Sequence, residues 1–334
     1  MCDRTFFLFP AQGAQYPGMA LDLLEQSLHG GIKRLFSLAS KILGENMVEL
    51  LGNSSPEYLK RTDISQPAIT LANLAAAEYL TENGITPEGC AGFSLGEYAA
   101  LAVAGVISAE DCFFLVTQRG AAMQAAIDRL QGESAPGMAA VIGLSPEQVE
   151  ALIAEWKNSG LKDLYAANYN SSKQVTVSGT GAALDEAEKL FLGAGARRFL
   201  RLEVAGPYHS PFMKEAAEAF APALEKVQFL DPLIPIFSNV TGRQIKSGAE
   251  AKALALHQIV EAVRWTEEEA ALAQLNPDML VEAGPGTVLQ GLWRDTKSAI
   301  PCYRAGTAAD INELTAEISE AAIENSNWSI YEAG

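Results

Sequence analysis

Residues 87–103 read PEGCAGFSLGEYAALAV. An apolar strand over Pro87–Phe93 runs into a tight turn at Ser94, then into an Ala-rich helix over Leu95–Val103. Gly92-Phe93-Ser94-Leu95-Gly96 fits G-x-S-x-G, the pattern that seats a serine on a strained strand-to-helix turn with its hydroxyl outward. Glycine on either side lets backbone pass closely. The helix N-terminus beneath the turn favours developing negative charge. The plainer reading is a Gly-rich turn whose serine caps a helix. The strand before it and the helix after it favour a nucleophile.

Strand and helix patterns alternate on both sides of this turn, which predicts an α/β protein. Thr5–Phe9 is a buried strand closed by Pro10. Residues 66–84 read as a helix, with Pro67 near its start and Gly84 at its end. Ser108 caps a helix that runs through Arg119 to about Arg129. Residues 131–136 (QGESAP) break the pattern as a linker. Beyond it come a strand over Met138–Ile142 and a helix over Ser145–Ser159 opened by the capping box SPEQ. Strands over Leu164–Asn168 and Gln174–Ser178, a helix over Thr180–Leu192 and a strand over Ala196–Leu202 complete a β-α-β-β-α-β unit, the ferredoxin-like order. Residues 275–290 give a strand, a Gly-Pro-Gly turn and a helix start. The expected organisation is a large hydrolase-like α/β domain with a parallel central sheet (1–132 and 204–320). A small ferredoxin-like domain (133–203) is inserted in it, and a tail (321–334) ends in a mobile polar stretch.

The chain has 334 residues, enough for about two domains. Lys plus Arg is 24 against 41 for Asp plus Glu, a net charge of −17 that argues against binding nucleic acid or an anionic membrane. Apolar residues at 49% with charged residues at 19% describe a globular chain and not a disordered one. Cys2, Cys90, Cys112 and Cys302 are scattered, with no CxxC, so neither a disulfide framework nor a zinc or other metal site is expected. No apolar run reaches the length of a membrane span, and the N-terminal run before Pro10 is too short for a signal peptide core. These features point to a cytoplasmic protein.

A serine hydroxyl needs a base near neutral pH. Of three histidines, His29 lies in a loop-like HGG and His257 in an apolar helical stretch. His209 lies in GPYHSPFM, a loop stiffened by two prolines, and is the best base. A hydrolase triad also needs an acid to orient the imidazole. Many acids are available and none stands out; a backbone or amide carbonyl could serve instead.

The motifs taken together resemble malonyl-CoA:acyl carrier protein transacylases, including the acyltransferases of polyketide synthases. FPAQGAQ at 9–15 resembles the family's FPGQGxQ, GFSLGE at 92–97 its GHSxGE, and Gln118-Arg119-Gly120 with Met123 its xRGxxM helix. Gly137-Met138-Ala139-Ala140-Val141, the NYNS stretch at 168–171 with Gln174, and GPYHSPFM at 206–213 follow in order. Ser238-Asn239-Val240-Thr241 and Glu282-Ala283-Gly284-Pro285-Gly286 close the series. Over roughly residues 5–310 this is eight ordered matches.

The resemblance implies that Ser94 is acylated and His209 is its general base, oriented by the main-chain carbonyl of Gln258. The amides of Gln12 and Leu95 form the oxyanion hole, and Arg119 grips the substrate carboxylate through paired hydrogen bonds that a lysine cannot reproduce. Asn170, Gln66 and Asn239 are pocket or supporting groups. Two positions depart from the family: Phe93 stands where His is usual, which removes a polar contact and bears on acyl preference, and Ala11 replaces the first Gly of FPGQG. The implied reaction is malonyl transfer from malonyl-CoA to the phosphopantetheine thiol of acyl carrier protein, with CoA released and no bound cofactor. GPYH lacks the YASH pattern associated with methylmalonyl use. The alternatives are a discrete acyltransferase of polyketide biosynthesis and a serine esterase or thioesterase; the latter predicts a Ser-acid-His order and free acid as product. Carrier proteins are acidic, so docking needs a local basic patch. Arg197, Arg198, Arg201 and Lys214 form the expected cluster. A monomer is expected.

Overall fold

The computed structural model describes residues 4–130, 132 and 135–332. Cys2, three residues of the expected linker (Gln131, Glu133, Ser134) and the last two of the expected tail lie outside these. The central sheet has strands β1 (Thr5–Phe9), β2 (Gly89–Gly92), β7 (Met279–Glu282) and β8 (Cys302–Arg304) in the order β2-β1-β7-β8, every neighbouring pair parallel. TFFLF shows no polar alternation because both faces of β1 are covered. Phe7 and Phe9 enter the main helical core, while Phe6 and Leu8 pack with Trp265, Leu289 and Trp293 on the other side.

The helices before the elbow are α1 (Leu21–Gln26), α2 (Gly31–Leu43), α3 (Met47–Asn53), α4 (Pro56–Leu59) and α5 (Thr62–Glu82). The expected helix over 66–84 starts four residues earlier, at Thr62, and Pro67 lies inside it. Its cap, Arg61, makes no side-chain cap bond, so no cap signal marks the start. After β2 come α6 (Gly96–Val103) and α7 (Ala109–Arg129), with Ser108 accepting from the Asp111 N–H as its cap. Gly120 of α7 sits against α5: a Cβ there would lie 2.9 Å from the Thr62 carbonyl oxygen.

The second sheet holds β3 (Gly137–Ile142), β4 (Leu164–Ser171), β5 (Gln174–Gly179) and β6 (Arg198–Arg201), all antiparallel, in the order β4-β5-β3-β6. Helices α8 (Pro146–Asn158) and α9 (Gly181–Gly193) cover one face, with Trp156, Phe191 and Phe199 in the core between. The Ser145 capping box is formed. Met138, Asn168, Asn170 and Thr176 of this sheet border the same cavity as the elbow at Ser94. Two register shifts in β4, between Ala166 and Asn168 and between Tyr169 and Ser171, bear on function. A shift of one residue turns side chains to the opposite face. Before the first shift Leu164 and Ala166 pack under the helices; after it Asn168 faces the opposite way, with Asn170 beyond.

The chain then passes through a short 3₁₀ turn (Pro211–Met213) into α10 (Lys214–Glu225), α11 (Gly248–His257), α12 (Trp265–Gln274) and α13 (Val288–Asp295). Buried Glu282, from the EAGPG stretch, accepts the Leu289 and Gln290 N–H groups and so anchors the start of α13. The final helix α14 (Ala308–Glu332) carries on through the expected polar tail. No helix among the described residues is long and apolar enough to cross a membrane.

Candidate active site

The elbow is built from backbone strain and close approach. Ser94 has φ +49°, the left-handed region that non-glycine residues rarely adopt. A Cβ at Gly92 would lie 2.0 Å from the Gly96 carbonyl carbon, and one at Gly96 2.0 Å from the Phe9 oxygen, so no larger residue fits at either position. The strain is held from below by Asn239. Its Oδ1 accepts the Ser94 N–H at 2.5 Å, and its Nδ2 donates to the Gly92 oxygen and to Glu268 Oε1, both at 2.7 Å. The Gln258 side chain donates to the Ser94 carbonyl at 2.9 Å. Beneath both, buried Glu97 accepts from the Asn239 N–H and from Gln258 Nε2. Burial pushes its carboxyl up to about 7.

His209, also at positive φ (+54°), is brought to the serine across 115 residues, with Nε2 2.7 Å from Ser94 Oγ. Its Nδ1 lies 2.9 Å from the Gln258 carbonyl and 3.1 Å from that of Glu261. Carbonyls only accept, so the proton sits on Nδ1 and Nε2 is free to accept the serine proton. A carbonyl therefore stands where a triad acid would. Burial, assisted by the Arg119 charge, lowers the imidazole to about 4, so that near pH 7 it is neutral with Nε2 unprotonated.

Ser94, His209 and Arg119 line one cavity of about 250 Å³, closed by the loops after β1 and β2, by residues of β3, β4 and β5, and by α13. Arg119 is 1% exposed. Its Nη2 donates to Gln258 Oε1 at 3.1 Å, its guanidinium lies 5.4 Å from the Tyr98 ring centre, and its Nε has no partner. No carboxylate lies within ion-pair distance of it among the described residues. A buried cation left without an anion costs several kcal/mol. The site is thus poised for an anionic group. Burial lowers the Arg119 pKa.

Gln12 and Leu95 both line the cavity, and neither main-chain amide donates to another group among the described residues. Ala11 keeps negative φ; the positive φ of this loop falls on Gly13, so the Gly-to-Ala departure strains nothing. Phe93 lines the cavity with its ring edge-on to Trp265, centres 5.4 Å apart. Asn170, two residues beyond Asn168 and so on the same face, reaches the cavity and donates to Thr176 Oγ1 at 3.1 Å. Gln66 does not reach it: it is buried behind Met123, donating to Sδ at 3.2 Å. Asn239 also stands outside the cavity and acts on the elbow.

The four expected docking cations do not form one cluster. Strand alternation places Arg198 and Arg201 on opposite faces of β6. Arg201 turns to Asp185 of α9 at 2.5 Å, and Lys214 lies 3.7 Å from Glu218 on its own helix. Arg197 and Arg198 are exposed; Arg198 shares its face of β6 with the exposed Leu200, and beyond the strand's other end Leu202 lines the cavity. Sequence reading missed Glu97, Glu261 and Tyr208. Glu97 carries no local signal beyond its place in GFSLGE, and none marks Glu261, whose carbonyl joins the expected one of Gln258 at His209 Nδ1.

Residues 6–321 match the family described as the acyl transferase domain. The chain belongs to this family. As an acyl transferase it is 36% identical over 290 residues to the malonyl CoA-acyl carrier protein transacylase of Bacillus subtilis (strain 168), covering 87% of this chain and 89% of that protein. Among solved structures, the malonyl CoA-acyl carrier protein transacylase of Clostridium perfringens superposes with TM-score 0.89 at 29% identity, covering 97% and 99% of the two chains. A malonyl-transacylase solved in complex with its type II PKS acyl-carrier protein (PlMCAT:AntF) gives 0.85 at 32% identity, covering 92% and 98%. The acyl transferase fold, a parallel sheet with a second four-stranded unit, is thus shared with enzymes of known structure.

Proposed function

We propose that this acyl transferase moves a malonyl group from malonyl-CoA to the phosphopantetheine thiol of an acyl carrier protein through a malonyl-Ser94 ester. The observation that carries the reading is Arg119: a buried guanidinium without an anionic partner, in one cavity with a serine–histidine pair. Malonyl brings a carboxylate to one end and a thioester to the other.

His209 Nε2 takes the Ser94 proton as Oγ attacks the thioester carbonyl. The amides of Gln12 and Leu95 receive the oxyanion; one such donor contributes about 10²–10³ in rate. CoA leaves with the proton from His209. The carrier thiol then attacks the ester, deprotonated by the same imidazole, and the cycle is ping-pong. This reading goes with action in the cytoplasm, where the acyl-CoA donor pool lies. Supply of a polyketide carrier instead of a fatty acid carrier is the second reading, favoured by the likeness to the PlMCAT:AntF enzyme.

Incubation with malonyl-CoA should give a malonyl adduct in the intact mass that Ser94→Ala abolishes. An adduct persisting in that variant removes Ser94 from its role. Arg119→Ala should lower malonyl transfer by about 10²-fold while acetyl transfer changes little; equal loss for both would make Arg119 structural. A chase with fatty acid and polyketide carriers separates the two readings.

A further inference from the structure

Tyr208 precedes His209 and is tied to three elements at once. Its carbonyl accepts from Ser178 Oγ of β5 at 2.7 Å. Its hydroxyl lies 2.7 Å from Thr62 Oγ1 at the start of α5 and accepts from Gln12 Nε2 at 3.1 Å. The ring is buried against the cavity.

The loop around Gln12 is fastened on both sides. Asn73 Nδ2 donates to the Pro10 oxygen at 2.9 Å, the Gly13 N–H donates to Gln15 Oε1 at 2.7 Å, and the Ala14 N–H donates to the Ala11 oxygen at 3.2 Å. At Gln12 itself, the bond to Tyr208 is the only side-chain anchor among the described residues. Without it the peptide plane at Gln12 could tilt between its neighbours. A displacement of about 1 Å near the reacting atoms can cost about 10²-fold in rate.

We infer that the Tyr208 hydroxyl is a positioning group for the oxyanion hole: by holding the Gln12 side chain it sets where the Gln12 N–H points. The inference rests on Ser94 being the acylated nucleophile, not on which acyl group it carries. Thr62 holds the hydroxyl in turn, and a partly buried bond competes less with water than an exposed one.

Tyr208→Phe keeps the ring and removes the hydroxyl; Gln12→Met keeps the chain length and the backbone amide and removes the donor. Acylation is followed with malonyl-CoA and with p-nitrophenyl acetate, an activated ester that reports serine acylation whatever the natural donor. Each variant should lose about tenfold in acylation rate with both donors, with KM for malonyl-CoA within about twofold. The double variant should be no worse than either single one, since both cut the same bond. An unchanged rate in either variant, losses that multiply in the double variant, or a raised KM at intact kcat would each overturn the inference. Thermal melting checks that the variants are folded. If the native enzyme reacts with the ester but not with malonyl-CoA, the donor assignment fails and this test still reads out.

Discussion

His209 holds its Nδ1 proton between two main-chain carbonyls, and among the described residues no carboxylate bonds to it. The imidazole therefore gains no charge partner that would raise its pKa, and burial beside Arg119 takes it down to about 4. Acylation should stay flat from pH 8 down to about 5 and fall as His209 takes up a proton near 4, read by single-turnover rates. An inflection near 6.5 would mean a solvated imidazole. The folded-state pKa lies below the unfolded value of 6.5, so between 6.5 and about 4 the unfolded chain binds a proton that the native state refuses. Stability is lost as pH falls through that window, by up to about 3 kcal/mol, and His209→Asn should flatten that part of a plot of Tm against pH. Ser94 is legible from its G-x-S-x-G setting and His209 from the scarcity of histidine, while Arg119 is reached only through the family resemblance of its helix. The carbonyl of Glu261 is not legible, because any residue can offer one.

Helix α7 carries Arg119, and its neighbour Gly120 is where α7 meets α5. Gly120→Ala should force the two backbones apart, costing about 1–3 kcal/mol, and should raise KM for malonyl-CoA as Arg119 shifts. A melt with unchanged KM would show that the helix absorbs the methyl without moving the guanidinium. The cap of the same helix was readable, since Ser108 with Asp111 is a local signal. The start of α5 was not, because Arg61 leaves no mark and Pro67 looked like a first-turn residue. The register shifts in β4 were equally hidden. They depend on the pairing with β5, and the one between Ala166 and Asn168 decides that Asn168 and Asn170 face the cavity and not the helices.

At the scale of the molecule, the proposed transfer to an acidic carrier would have to overcome a net charge of −17, which makes local cations the place to test docking. With Arg201 bound to Asp185 and Lys214 beside Glu218, Arg198 is the exposed cation of the strand that leads to Leu202 in the cavity wall. Arg198→Glu should raise the carrier KM severalfold while malonyl-CoA acylation is unchanged, and Arg201→Glu should do less; equal effects would place docking elsewhere. The succession of strands and helices along the chain could be anticipated from alternation and capping, whereas the order of the strands in each sheet could not, because it is set where distant segments pair. The second sheet enters on β3 and leaves on β6, which pair side by side, with the Leu202 N–H bonded to the Met138 oxygen at 2.9 Å. Its two junctions thus lie almost at one point. Residues 137–202 form a cassette that a relative's counterpart could replace through neighbouring splice sites, and such a chimera would keep the host's nucleophile and inherit the donor's upper wall around the acyl chain.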